Sequence, residues 1–228
     1  MNIIYERAML LVFLFALLIV AYGIYDTWYV YNKAGDNSVL QYKPVAGQKS
    51  VPEDAPITKD MVAWITVDGT NIDYPVMQGK TNSDYLNTNP YGEYALSGSI
   101  FLDSRNSSDF SDDYSILYGH HMEYGNMFGA LDDFLDAGYL ETHTNGTLVV
   151  GRNADAEYKI GIFACAKVNV YDNKALDPAS LDEIEKMIQS DALIINTSVE
   201  KSDHILALST CTEPVSSNRL IVFAYIYE

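Results

Sequence analysis

The chain has 228 residues, of which 48% are hydrophobic, and its 31 acidic against 14 basic residues give a formal net charge of −17. A chain this apolar folds around a core, so it is not an acidic disordered tail as a whole. The negative charge repels phosphate backbones, so no nucleic-acid partner is expected. The preferred interpretation is that the charge keeps the protein soluble, and a modest attraction for cationic substrates is the alternative.

The first predicted element is an apolar helix near the N-terminus. The stretch AMLLVFLFALLIVAYGIY, residues 8–25, carries no charge, and about 18 apolar residues approach the minimum that crosses a hydrocarbon core. A cleaved signal peptide is the alternative, although the stretch exceeds the usual apolar region and no clear A-x-A site follows it. The sequence therefore predicts a membrane anchor over residues 1–25. Arg7 before the span gives a slight bias for an inner N-terminus and an outer body.

The region after the anchor is predicted to be a juxtamembrane stalk with a helical segment, residues 26–60, in which Pro44, Pro52 and Pro56 argue against one continuous helix. A folded domain is predicted over residues 61–228. It contains eight short runs rich in β-branched and aromatic residues, which indicate a barrel or a sandwich: 62–67, 72–77, 99–102, 114–118, 147–150, 158–170, 205–209 and 220–227. Helices are predicted over 125–135 and over 178–191, the second with Asp177 as its N-cap.

Only two cysteines are present, so the domain is not a disulfide scaffold. Cys165 lies in the alternating run YKIGIFACAKV, which predicts a buried strand and a free thiol that packs in the core. Cys211 instead lies beside a polar loop. If the run 205–209 extends as a strand to residue 211, Cys211 ends that strand, and Arg219 opens the last one. If these two strands are antiparallel neighbours, Cys211 and Arg219 face each other, and a nearby guanidinium favours the nucleophilic thiolate.

A cysteine nucleophile needs a proton carrier, and the four histidines are the candidates. His143 and His204 lie in polar contexts without a special signal. His120 and His121 follow a predicted strand that breaks at Gly119, much as Cys211 ends its own strand. A Cys–His pair at one rim of a barrel is therefore a hypothesis, which sequence position alone does not separate from chance placement.

Three motifs together resemble the sortases, and within them class B. They are LSTC at 208–211 followed by Arg219, YGHHM at 118–122 and GNMFGAL at 125–131. The combination is far more specific than any one motif, and the resemblance covers roughly residues 60–227. The long segment 172–203 with its predicted helix resembles class B in particular.

The resemblance implies a mainly β fold with accessory helices: an eight-stranded sortase-type β-barrel preceded by an N-terminal transmembrane helix. It also implies a transpeptidase that cleaves the C-terminal sorting motif of secreted proteins and transfers the acyl group to a peptidoglycan or cell-wall-precursor amine in a Gram-positive bacterium. Cys211 would be the nucleophile, His120 the general acid and base, and Arg219 the group that holds the substrate and stabilises the oxyanion. The expected location is the cell membrane, single-pass, with the catalytic domain outside.

Further positions that resemble the class B substrate groove are Asn82, Leu86, Ser209 and Thr210. For Asn82 loop capping, and for Leu86 core packing, remain equal alternatives. His121 stands where the family often has asparagine, so it competes with His120, which we favour from its place in Y-G-H. Thr212 stands where some class B members carry glutamate.

No cofactor and no metal are expected. The acidic stretch DSRNSSDFSDD, residues 103–113, lacks the glycine and the terminal glutamate of an EF-hand loop, and a solvated loop is the preferred interpretation. Three other functions stay open: a pilin-polymerising sortase, a cysteine hydrolase of the same fold, and a membrane-tethered binding module whose cysteine is incidental.

Overall fold

A computed structural model describes residues 3–35, 37–171, 173–179, 181–211 and 217–227, with the backbone alone at residues 33, 173 and 211. The chain divides into two compact units, residues 1–36 and 37–228. Each unit has its own architecture, one helical and the other mainly β.

The N-terminal unit is a single helix, α1, Ile3–Ala34. With 32 residues it extends about 48 Å, and it continues past the predicted end of the anchor at residue 25. Its apolar side chains are exposed along its length, and it is the one helix among the described residues that is long and apolar enough to cross a membrane. The rings of Trp28 and Tyr29 lie 6.1 and 6.2 Å from that of Tyr25, an aromatic cluster of the kind found at membrane interfaces.

The second unit is built on a closed β-barrel. Its strands are β1 Met61–Val67, β2 Asp73–Met77, β3 Ile100–Leu102, β4 Tyr114–Gly119, β5 Asn145–Val150, β6 Ala156–Asn169, β7 Ile194–Ile195, β8 His204–Cys211 and β9 Asn218–Tyr227. Eight of them follow the order β5-β1-β2-β3-β4-β8-β9-β6, and pairing of β5 with β6 closes the ring. The predicted eight-stranded barrel is confirmed. The two-residue strand β7, which pairs with β6 outside this ring, was not predicted.

The helices of this unit are short. The described residues of this unit contain the α-helices α2 Ala137–Thr142 and α3 Leu181–Asp191, and the 3₁₀ helices Asn37–Tyr42, Glu123–Gly125, Phe128–Leu135 and Asn173–Leu176. The helix predicted over 125–135 is thus a 3₁₀ helix that begins at Phe128. The helix predicted over 178–191 is described over Leu181–Asp191, and Asp177 Oδ1 accepts the Ala179 N–H at 3.2 Å, the contact that an N-cap at Asp177 makes.

Alternation along the strands gives the barrel one interior and two covered outer faces. The interior contains Ile65, Leu206 and Leu208, and the 3₁₀ helix 128–135 adds Phe128 and Leu131 to it. Buried Cys165 belongs to this interior, as predicted, and burial raises the pKa of its thiol to about 12.

We call the two outer faces the β8 face and the β1 face. The β8 face comprises the outward residues of β4, β8, β9 and β6, such as Ala207 and Phe223, and packs under α3 and the 3₁₀ helix 173–176. The β1 face packs Trp64 of β1 against Val39, Val51 and Ile57. Residues 39–57 therefore share the core of the barrel unit, while the division into a stalk of residues 26–60 and a domain that begins at residue 61 stays a prediction.

Candidate active site

Three neighbouring strands end at the same rim of the barrel. The parallel register of β4 and β8 pairs Gly119 with Thr210, so the next residues, His120 and Cys211, reach the rim at the same level. The antiparallel register of β8 and β9 pairs Cys211 with Arg219. Since paired strands lie about 4.7–4.9 Å apart, the backbone brings all three predicted catalytic residues to adjacent strand ends, with the cysteine in the middle.

The glycine of the Y-G-H motif has a packing role. A Cβ atom added at Gly119 would lie 2.5 Å from Ile100 Cδ1 and 2.7 Å from Phe128 Cδ2. The Phe128 N–H donates a 3.0 Å hydrogen bond to the His120 carbonyl oxygen. The 3₁₀ helix 128–135 therefore packs directly against Gly119 and fixes the backbone that carries His120.

The His120 ring has a defined partner. Its Nε2 lies 2.7 Å from the carbonyl oxygen of Leu86. A carbonyl oxygen only accepts hydrogen bonds, so this contact requires the proton on Nε2 and leaves the lone pair of the neutral ring on Nδ1. The ring thus keeps one nitrogen able to take up a proton.

The second histidine has a different partner. His121 Nε2 lies 2.7 Å from Asp132 Oδ2, a half-exposed carboxylate on the 3₁₀ helix 128–135. The loop that follows is held at Met127, whose φ of 51° is unusual for a side chain other than glycine and whose N–H donates to Tyr74 Oη at 2.9 Å. The choice of His120 over His121 as proton carrier stays a prediction, and the distinct contacts of the two rings make it testable.

Arg219 stands between two strands at the rim. Its backbone pairs with Cys211 on one side and with Val168 of β6 on the other. The loop between Cys211 and Arg219 contains Thr212, which lies outside the described residues, as does the Cys211 side chain.

Two of the predicted substrate residues are buried next to the nucleophile position. Ser209 is 1% exposed and Thr210 is 2% exposed. Ser209 pairs with Tyr118 of β4 and with Ile221 of β9. Its hydroxyl is one of two buried side-chain polar atoms in the described part of the chain that have no hydrogen-bond partner. The substrate roles of both residues stay predictions.

The other two predicted substrate residues differ from each other. The Leu86 side chain is 41% exposed, so the core-packing alternative does not describe it, and its carbonyl holds His120. Asn82 donates through Nδ2 to Asp103 Oδ2 at 2.9 Å, and its Oδ1 accepts the Ser104 N–H at 2.7 Å. The contacts of Asn82 are those of the loop-capping alternative, while its substrate role stays a prediction.

A buried carboxylate below the rim was missed by sequence reasoning. Asp103 is fully buried, so the solvated-loop interpretation of the stretch 103–113 is wrong at this residue. Its oxygens accept hydrogen bonds from Arg105 Nε at 2.9 Å, Arg105 Nη2 at 2.8 Å, Asn82 and Tyr118 Oη at 3.0 Å. Burial alone would raise the pKa of Asp103, but these donors hold it below its usual value. The sequence signal for this ion pair was the spacing of Asp103 and Arg105, two residues apart and directly after β3.

The environment of this network also raises the pKa of the neighbouring Tyr118. Burial, followed by the charge of Asp103, raises the pKa of Tyr118. The phenol therefore stays protonated and can donate to the carboxylate at any physiological pH. Within the described ranges no group of three His, Cys, Asp or Glu side chains is arranged to hold a metal ion.

Comparisons with known proteins identify the family to which the barrel unit is similar. Residues 65–227 match the model of the Sortase domain. The chain is 34% identical to Sortase B of Staphylococcus aureus over 177 aligned residues. The alignment covers 75% of this chain and 71% of that protein.

Solved structures give the same result. The structure of a Streptococcus pyogenes class B sortase involved in pilus biogenesis aligns with a TM-score of 0.67 and 36% identity over 74% of this chain and 92% of that one. A structure of Sortase B complexed with triglycine aligns with a TM-score of 0.65 and 31% identity over 75% of this chain and 82% of that one.

Proposed function

The chain belongs to the sortase family of cysteine transpeptidases, and we propose that it is a membrane-anchored member that cleaves a C-terminal sorting motif of secreted proteins and joins the acyl group to a cell-wall amine. The observation that carries the proposal is the strand register, which sets Cys211 between His120 and Arg219 at one rim.

The reaction proceeds in two acyl transfers. The Cys211 thiolate attacks the carbonyl carbon of the scissile peptide bond; the C–N bond breaks, a thioester forms, and the leaving amine takes a proton from the His120 imidazolium. The incoming amine then attacks the thioester, the C–S bond breaks, and His120 takes up the proton that the amine loses. The product contains a new amide bond and the thiolate is restored.

Arg219 has a separate electrostatic role. Each tetrahedral intermediate carries a negative oxygen, and the guanidinium donates hydrogen bonds to it and to the substrate backbone. One such donor contributes about 3–4 kcal/mol to transition-state stabilisation in comparable sites. A guanidinium stays protonated, so Arg219 does not serve as a base.

The helix α1 anchors the enzyme in the cell membrane. The positive charge of Arg7 before the apolar stretch favours a cytoplasmic N-terminus, which places residues 37–228 outside the cell. Protease added to intact cells should then digest the barrel unit. If digestion requires lysed cells, the orientation is the reverse.

The test uses the full-length chain in detergent micelles. A library of fluorogenic peptides is screened for acylation of Cys211, and the best peptide is incubated with triglycine as the amine, because triglycine is bound in a structure of Sortase B. We expect a ligated peptide–triglycine product. Hydrolysis alone at saturating triglycine would favour a cysteine hydrolase, and ligation to the side-chain amine of a lysine peptide but not to triglycine would favour a pilin-polymerising enzyme.

A further inference from the structure

A short segment covers the β8 face next to the candidate site. We call residues 174–177 the cover segment. Ala175 in this segment is 1% exposed and packs in the same cluster as Tyr114 and Ile116 of β4 and Ala207 of β8. Because Ser209 follows Ala207 by two residues, the cover segment lies on the outer face of β8 that also leads to the unpartnered Ser209 hydroxyl.

Tyr114 and Arg105 hold the cover segment through polar contacts from the side of the barrel. Tyr114 Oη donates to the Ala175 carbonyl oxygen at 2.8 Å. Arg105 Nη2 donates to the Leu176 carbonyl oxygen at 2.7 Å, and Arg105 Nη1 lies 3.5 Å from Asp177 Oδ1. One guanidinium thus binds both Leu176 and Asp177.

The same guanidinium is fixed on its other side. Arg105 Nε and Nη2 donate to the two oxygens of buried Asp103, which also accepts the Tyr118 hydroxyl. Tyr118 pairs with Ser209 in the β4–β8 register and precedes His120 by two residues. One carboxylate–guanidinium pair therefore connects the cover segment to the strand that carries the proposed proton carrier.

We propose that Arg105 is a positioning residue, which fixes the cover segment at a set distance from β4 and β8 and so shapes one wall of the peptide-binding groove. This inference rests on the proposed function. Arg105 does not touch the reacting atoms, since its partners are Asp103, Leu176 and Asp177. Its loss should therefore weaken peptide binding while the chemical step at Cys211 proceeds.

The chain offers a matched control on the β1 face. Arg152 also binds backbone carbonyls through its guanidinium, with Nη1 at 3.2 Å from the Ile57 oxygen and 2.8 Å from the Thr58 oxygen. It holds the segment that covers Trp64 on the β1 face, whereas Arg105 holds the segment that covers the β8 face. Arg105→Lys and Arg152→Lys each replace a planar multi-donor group with a single ammonium, which cannot bridge two partners in the same way.

The first measurement is hydrogen–deuterium exchange of the full-length chain in micelles, which does not depend on any activity. In Arg105→Lys the amides of residues 174–177 should exchange at least about tenfold faster, since their local opening costs less. In Arg152→Lys these amides should be unchanged. Equal exchange in Arg105→Lys and the unchanged chain would overturn the inference, even if the proposed function proves correct.

The second measurement is the kinetics of ligation of the library-selected peptide to triglycine. For Arg105→Lys we expect KM for the peptide to rise about tenfold with kcat within about twofold, the pattern of lost binding without lost chemistry. Arg152→Lys should change neither value. Faster exchange with an unchanged KM would reduce Arg105 to a purely structural role and overturn the proposal, as would a loss confined to kcat.

Discussion

The two outer faces of the barrel are covered in the same way but differ in their buried polar groups. Each is covered by an irregular segment, and each cover is held by an arginine that binds backbone carbonyls, Arg105 on the β8 face and Arg152 on the β1 face. On the β1 face the buried polar atoms near Trp64 have partners: its Nε1 donates to Asp73 Oδ1 at 2.6 Å, and Lys43 Nζ donates to the same oxygen at 2.7 Å.

The β8 face differs in its polar groups. Of the two buried hydroxyls without partners among the described residues, Ser209 follows outward-facing Ala207 on this face, whereas Ser115 pairs with Leu206 and faces the interior. Buried Asp103 stands beside β4. Unsatisfied buried hydroxyls cost stability, and proteins accept such costs mainly at functional sites. From this difference we expect the β1 face to contribute mainly to stability and the β8 face to contribute to the proposed substrate site.

The largest expected effect is that of the nucleophile. Cys211→Ala removes the sulfur that forms the thioester, so transpeptidation should fall at least about 10³-fold, to the detection limit. Cys165→Ala is the matched control, because that thiol is buried in the barrel interior. Ligation assays on both variants check the prediction, and equal losses in the two would contradict the assignment.

The next effect is that of the proton carrier. His120→Ala should lower kcat about 10²–10⁴-fold, the usual contribution of a positioned acid and base. His121→Ala removes only the contact with Asp132 and should lower kcat a few-fold at most. Steady-state kinetics decide between the two histidines, and the reverse ranking would make His121 the proton carrier.

The guanidinium at the rim comes third. Arg219→Lys should lower kcat/KM about 10²-fold, because an ammonium lacks the planar fork that donates to the oxyanion and the substrate together. Folding should be unaffected, which a thermal melt checks. Arg219→Lys activity within about threefold of the unchanged chain would remove the oxyanion role.

On the β1 face the expected effect is on stability and not on activity. Asp73→Ala leaves the indole N–H of fully buried Trp64 without its acceptor, which should cost about 1–3 kcal/mol of unfolding free energy. Asp73→Asn keeps an acceptor and should cost less. Denaturant unfolding measures the loss, and kcat/KM should not change. A comparable loss of activity would show that the two faces are not functionally separate.

The smallest effect is a pH dependence on the β8 face. The pKa of Asp103 is lowered in the folded state, so its stabilising contribution is present above the unfolded value near 3.9 and is lost as the pH falls through the lower folded value. Melting curves should show the Asp103→Asn variant farthest below the unchanged chain near neutral pH, with the difference shrinking in acid. A difference that grows on acidification would contradict the ionised, hydrogen-bonded carboxylate.

The barrel was predictable from the sequence because its strands are local patterns. Runs rich in β-branched and aromatic residues mark the long strands, and the Asp68-Gly69 turn separates β1 from β2. The strand β7 has only two residues, too few to form such a pattern. It is a strand because these residues pair with Ala164 and Cys165 of β6. The helix predicted over 125–135 is a 3₁₀ helix from Phe128, where its apolar side chains are fixed by the barrel interior and not by helical propensity.

The site was predictable only in part. Strand ends and family motifs located Cys211, His120 and Arg219, but their adjacency depends on the β4–β8–β9 register, which is a long-range property. The Asp103 network joins Asn82, 21 residues earlier, to a segment more than 70 residues later. No local pattern indicates such long-range contacts. The composition of residues 103–113 therefore predicted a solvated loop, although Asp103 is fully buried.

The most direct measurement is the location of the acyl group on the enzyme. The full-length chain is mixed with the library-selected peptide without an amine, digested with trypsin at mildly acidic pH to preserve thioesters, and mapped by mass spectrometry. The two cysteines fall in separate tryptic peptides, residues 202–219 for Cys211 and 160–167 for Cys165. We predict the acyl mass on 202–219 and its disappearance when triglycine is added, with a ligated product in equal amount; an adduct elsewhere, or none, would contradict a Cys211 transpeptidase.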